Sequence, residues 1–525
     1  MDEEYAMDDA AQLLETASDF GYYPGVQSDA AAEEFLYRFP LAVIINALQT
    51  RLQYPGLEDA LVAALEKIFE TKYGASLIPH YMPFVQVGLT ADSPSVRRLA
   101  CKTVTCLLEN FDEKTLSAAQ LVIDYDIYPL LLDSLVNGEE QVAAASVDAI
   151  KKLAGFPEGM DIIFPVNKND AAHLGNLAAR CSSVGRVRVL SLIVKLFSVS
   201  SNVASVIYNS NLLSLLEAEV NNTNDTLVVL SVLELFHELV EIRHSIEFLS
   251  RTTLLQLLLS IISDSSKETI LRSRAMIITG RLLSKEHVYM LVDESSVKAL
   301  ISAIDRRFGL LEHQDTDECE TALEAFGEVG SSIKGATLIL SMSPPAARHV
   351  INAAFDRQRH GRQLAAMHAL ANIGGESRPE NDIVLNVNAE ESLRRLVYGV
   401  ASKSTKLTPS ELFLSVLQQA AEFRLAAYRI ITGLVVRHWC LTEICLKQEI
   451  INIVTDATAE STKIGMESRY KCCKAIHKAF TSSKLANDPA LAGVAEKLQE
   501  AVRSGPYLAK KHLESQPAVM TAERF

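Results

Sequence analysis

The sequence predicts an all-α solenoid, a stack of about ten helical repeats wound into a right-handed superhelix, and three observations lead there. A helical pattern of apolar residues returns every forty-odd positions. Helix breakers are scarce: Gly and Pro total 39 of 525 residues, about 7%, where average usage is about 12%. Hydrophobic residues make up 48% and aromatics only 6%, with Trp439 the single tryptophan, so packing falls to aliphatic side chains. That much apolar material excludes a wholly disordered chain.

The repeating unit is clearest at Val96, where residues at offsets +4, +7, +8 and +11 (Ala100, Thr103, Val104, Leu107) fall on one helical face. The same spacing starts at Leu57, Val142, Gly185, Val228, Leu271, Glu318, Arg362, Phe423 and Ser468. Only Thr103, Ser146 and Thr279 are polar at the offset positions. Successive starts lie 39 to 47 residues apart, with one interval of 61. Periods of about 40–47 residues with two or three helices each mark armadillo- and HEAT-like repeats. One such unit cannot bury its apolar faces alone, whereas a stack forms a continuous core. Shorter apolar runs at 128–135, 211–216, 254–262 and 297–304 supply the preceding helices of their units.

The expected organisation is an acidic N-terminal segment over 1–37, partly disordered or capping, then the solenoid over 38–505 and a tail over 506–525. The long interval contains Glu376-Ser-Arg-Pro-Glu-Asn-Asp382 and Ser402-Lys-Ser-Thr-Lys-Leu-Thr-Pro409. These polar, turn-rich stretches predict a loop insertion over about 376–410.

Net charge is −15, which disfavours nucleic acid as a partner because phosphate binding needs a positive field. Residues 1–37 hold ten of the acidic side chains and no Lys or Arg, so the remainder sums to only −5. The eight cysteines form no C-x-x-C pair, and buried reduced thiols are expected. No apolar run approaches the ~20 residues of a membrane span, and the N-terminus lacks a signal-peptide layout. A soluble, cytoplasmic protein is expected, with the nucleus as a second compartment.

Motifs that carry chemistry are missing. Gly330-Ser-Ser-Ile-Lys-Gly335 comes nearest to a phosphate loop but misplaces its lysine. There is no H-E-x-x-H, G-x-S-x-G or G-x-G-x-x-G. No catalytic residues, metal or cofactor are expected, and an enzyme is disfavoured.

Function then falls to the surface. Offsets +6 and +10 lie together on one flank of each repeating helix. Down the chain they include Lys195, then Glu234 and Glu238, Arg281, Glu324 and Glu328, then His368 and Asn372, Arg429, and finally Lys474 and Lys478. The flank passes from mixed to acidic to basic. It suits a protein partner of complementary charge, although a solvated helix exterior gives the same pattern. Nuclear-import adaptors of the armadillo class place Trp at +6 and Asn at +10; here only Asn372 matches, which argues against that role.

Three stretches resemble the proteasome non-ATPase regulatory subunit 5 family. They are Ser183-Val-Gly-Arg-Val-Arg-Val-Leu-Ser-Leu-Ile-Val-Lys-Leu-Phe-Ser-Val-Ser200, the run from Glu422 to Leu434 with Trp439 beyond it, and Ser504-Gly-Pro-Tyr507 followed by Lys510. The similarity runs over about 40–510. It implies an assembly chaperone for the base of the 26S proteasome regulatory particle, monomeric outside the complex, that binds the C-terminal region of a proteasomal ATPase subunit. The alternative is a general armadillo-type protein-interaction scaffold unrelated to the proteasome.

Overall fold

The computed structural model describes residues 2–49, 54–110, 118–165, 173–311, 317–405 and 407–507. Every regular element among them is helical. The chain divides into two compact units, Met1–Thr252 and Thr253–Phe525.

All ten repeating segments form helices. In the first unit these are Leu57–Phe69, Pro94–Asn110, Glu140–Leu153, Ser183–Phe197 and Thr226–Glu241, each packed on the next. In the second they are Thr269–Leu283, Asp317–Ser331, His360–Gly374, Ala421–Leu434 and Lys463–Thr481, again stacked in order. Shorter helices form the other layer; Ile127–Asn137 packs on Glu140–Leu153 and Leu254–Ser263 on Thr269–Leu283. The all-helical repeat stack expected from the spacing is therefore the observed architecture.

Helix starts follow local capping chemistry. Ser182 accepts from the Gly185 amide at 3.3 Å, Asp225 from that of Leu227 at 2.9 Å and Thr462 from that of Gly465 at 3.1 Å, each satisfying an otherwise orphaned donor. The offset positions form the core: all are buried except Ala475 and Ala479, on the last repeating helix. The three polar members are satisfied. Thr103 and Thr279 donate to the carbonyls of Leu99 and Ala275, both at 2.8 Å, and Ser146 to that of Leu131 at 2.5 Å. Close approach also needs small residues. A Cβ on Gly327 would lie 2.7 Å from the Ala369 Cα, where the Asp317–Ser331 and His360–Gly374 helices touch.

One repeated device lies at the position after the start in five of the ten repeats. Arg97, Arg186, Arg272, Arg424 and Arg469 all occupy it. Four of them reach back five or six residues to a carbonyl in the turn before their own helix, at Ala91, Cys181, Lys267 and Gln419. Arg469 donates to the Val454 carbonyl at 2.8 Å. Three also hold a carboxylate: Glu219, Glu318 and Glu460 respectively for Arg186, Arg272 and Arg424. Glu318 belongs to the next repeating helix and Glu460 to the turn before it, so those arginines tie their own loop to the following repeat.

The expectation of a loop over 376–410 needs correction. A connector over 375–386 is followed by a helix, Val387–Lys403, before Pro409–Leu417 begins. Asn386 caps the inserted helix by accepting from the Ala389 amide at 2.9 Å. Its buried stripe is Ala389, Leu393, Val397 and Ala401, spaced by four residues and packed against Ile333–Ser341. At the N-terminus, the acidic Asp2–Gly21 helix lies on Leu57–Phe69 and buries Leu13 and Ala17. At the other end, Ala492–Ser504 packs on Lys463–Thr481 and stops at Gly505, whose φ is +82°. The expected tail lies outside the described residues from 508 onward.

Candidate partner-binding site

Stacking places equal offsets of neighbouring helices side by side, so flank residues meet across repeats. In the first unit Lys195 pairs with Glu238 at 2.5 Å, one turn beyond the exposed Glu234. Two more lysines reach the preceding repeating helix at an offset three larger than their own: Lys102 holds Glu66 at 2.8 Å and Lys152 holds Glu109 at 2.6 Å. In the second unit Arg281 meets Glu328 at 3.3 Å. Glu324 is exposed one turn before Glu328. Partial burial, then the neighbouring Glu320 and Glu328 carboxylates, push the Glu324 carboxyl above its ordinary range.

His368, Asn372 and Arg429 converge. Arg429 donates to His368 Nδ1 at 2.7 Å, to Asn372 Oδ1 at 3.0 Å and to Glu376, also at 3.0 Å. Arg carries no acceptor, so Nδ1 of His368 accepts. Burial, then the Arg429 charge, lowers the His368 pKa, and the imidazole is neutral near pH 7. Burial alone would raise the Glu376 carboxyl, but Lys471 and Arg429 outweigh it and hold it below the ordinary range. On the last repeating helix, Lys474 lies 4.9 Å from the Tyr470 ring centroid and Lys478 contacts Glu380 at 2.5 Å.

The predicted acidic run from Glu234 to Glu328 thus spans the two units, with Glu234 and Glu238 in one and Glu324 and Glu328 in the other. Many flank charges are partly neutralised by their neighbours. Such half-exposed pairs contribute about 1 kcal/mol or less each, so a partner can exchange them. Glu376, Arg378, Glu380 and Lys471 join this surface without having been singled out by offset. The signal for the first three was the charge-rich connector itself; Lys471 lies on the Lys463–Thr481 helix, three positions before Lys474.

Among the described residues no group of three or more His, Cys, Asp or Glu is placed to hold a metal ion, and no helix is long and apolar enough to cross a membrane. All eight cysteines carry free thiols; Cys106 and Cys181 are half-buried and the other six buried. Burial pushes the Cys101 thiol up to about 12 and that of Cys473 to about 11, leaving few nucleophilic thiolates. Iodoacetamide on the native protein is expected to modify Cys181 and Cys106, and the other six only after unfolding. Mass spectrometry showing early modification of Cys101 or Cys440 would contradict this.

Stacked helices repeating at this period define a helical-repeat protein of the armadillo and HEAT kind. The chain belongs to the proteasome non-ATPase 26S subunit family, whose model matches residues 58–523, and its role is a proteasome-related one. It is similar to the human 26S proteasome non-ATPase regulatory subunit 5, with 20% identity over 467 residues, covering 86% of this chain and 85% of that one. The bovine protein of the same name is also 20% identical, over 455 residues, with 86% and 85% covered. Among solved structures, importin beta superposes with a TM-score of 0.50 at 13% identity, over 89% of this chain and 60% of that one. At that identity the likeness is one of fold.

Proposed function

We propose that this protein is a non-catalytic chaperone for assembly of the base of the 26S proteasome regulatory particle, and that it binds the C-terminal region of a proteasomal ATPase subunit. The family match over 58–523 carries the reading. Within each unit the stacked helices offer a polar, partly self-paired flank, and such a surface suits a partner that must later leave. The mechanism is occupancy: a bound chaperone covers a surface that the ATPase needs for its next contacts, and releases it once those can form. The chain acts as a monomer outside that complex, in the cytoplasm and nucleus.

An affinity pull-down from cell extract at low salt tests this. Proteasomal ATPases are expected to be enriched without the proteolytic core. Unrelated partners with no proteasomal ATPase would overturn the reading in favour of a general scaffold. The double reversal Glu234→Lys with Glu238→Lys, both in the first unit, is expected to weaken ATPase capture about tenfold with helix content unchanged. Undiminished capture would remove this flank from the binding surface.

A further inference from the structure

A groove of about 680 Å³ runs between the 375–386 connector and the Lys463–Thr481 helix. Lys471, Lys474 and Lys478 line one side, one face of that helix; Glu376, Arg378 and Glu380 line the other. His438, Thr432, Ser482 and Ser483 complete the polar wall, and the three lysines with Arg378 outnumber the two carboxylates. Ala475 and Ala479 form part of its apolar lining with Ile383 and Leu441. These two alanines are the offset positions that every earlier repeating helix buries.

The charges are unequally engaged. Glu376, 9% exposed, is fixed by Arg429 and Lys471. Glu380 is different: it is 77% exposed and sits on Lys478, itself 65% exposed, a pairing of little net strength. Lys474 has no carboxylate partner among the described residues and rests over Tyr470. Arg378, 8% exposed, spends its terminal nitrogens on the carbonyls of Asn372, Ile373 and Asp382, and its Nε has no acceptor among the described residues. The groove therefore holds surplus positive charge over an apolar lining, with one glutamate of the chain's own already modelling how a carboxylate docks.

We propose that this groove binds an acidic peptide segment of a protein partner, with its carboxylates on Lys474 and Lys478 and its apolar side chains against Ala475 and Ala479. Glu380 acts as an internal competitor that the incoming carboxylate displaces. This deepens the partner-binding reading at Lys474 and Lys478, and its test needs no proteasomal protein, so the two can fail separately.

The probe is a fluorescein-labelled eight-residue peptide of alternating glutamate and leucine, titrated against the full chain by anisotropy at low ionic strength. Binding is expected, weakened about tenfold by Lys474→Glu with Lys478→Glu. Glu380→Gln is expected to tighten it about two- to fivefold by removing the competitor. Lys474→Ala, a change at one exposed side chain, is expected to weaken it severalfold with the circular dichroism spectrum unchanged. The proposal is overturned by no binding to the wild type, or by a Glu380→Gln variant that binds no better. Equal, competing binding of a single-stranded oligonucleotide would overturn it too, because the groove would then be a non-selective polyanion surface.

Discussion

Glu318→Gln is expected to destabilise the Thr253–Phe525 unit by about 3–5 kcal/mol, because it strips the counter-charge from two guanidiniums at once. Glu318 is 3% exposed and receives paired hydrogen bonds from Arg272, at 2.7 and 3.1 Å, and from Arg307, at the same two distances. Arg272 is itself 5% exposed. Glutamine keeps the shape but turns an amide donor toward one arginine and leaves both without an anion. The effect depends on pH in a definite sense. Burial alone would raise the Glu318 carboxyl above its ordinary 4.5, but the two arginines outweigh it and hold it lower. The folded state therefore binds the proton less tightly than the unfolded state. The carboxylate's contribution is complete above about 4.5 and drains away as pH falls through the lower folded value. Urea unfolding followed by circular dichroism should show the gap between wild type and variant narrowing below about pH 4.5. A constant gap, or none near pH 7, would show that the triad contributes no such charge term.

Arg437→Met is expected to have a comparable cost, about 3–5 kcal/mol, and to open the connector. Arg437 is 5% exposed. It donates to both oxygens of Glu390, at 2.6 and 2.9 Å, to the Gly374 and Gly433 carbonyls at 2.8 and 2.9 Å, and to that of Ile383 at 3.2 Å. One side chain thus closes the ends of two repeating helices and fastens both the connector and the inserted helix to them. Methionine fills most of the stem volume but satisfies none of these acceptors. A glutamate-specific protease is expected to cut at Glu376 or Glu380 at least about tenfold faster in the variant, as local opening becomes easier. Unchanged cleavage would mean that Arg437 does not hold the connector.

The repeating helices were legible because burial constrains them most tightly: one face must be apolar or internally hydrogen-bonded at fixed offsets. Thr103, Ser146 and Thr279 fit that rule through their bonds to nearby carbonyls. The helix over Val387–Lys403 was obscured by polar turn residues on both sides, although the four-residue spacing from Ala389 to Ala401 was present. The flank positions could be placed by helix phase. Their pairing could not, because Lys195 with Glu238 and Arg281 with Glu328 depend on how neighbouring repeats are set against each other. The tethering arginines went unseen for a related reason: an Arg one place after a repeat start reads as solvent-facing until the carbonyl behind it and the carboxylate beyond it are in view.

The inserted helix also bears on how such a chain can change over generations. The His360–Gly374 and Ala421–Leu434 helices pack directly on each other across an interval of 61 residues between starts, against a common interval of 43. By loop-closure entropy the longer path costs only about 0.3 kcal/mol. Material added between stacked helices is thus nearly free in stability, while a change within the stack is not. A lineage can then lengthen these connections, fold the new segment onto a neighbouring helix and acquire a wall for a groove, without redesigning the ladder that carries it.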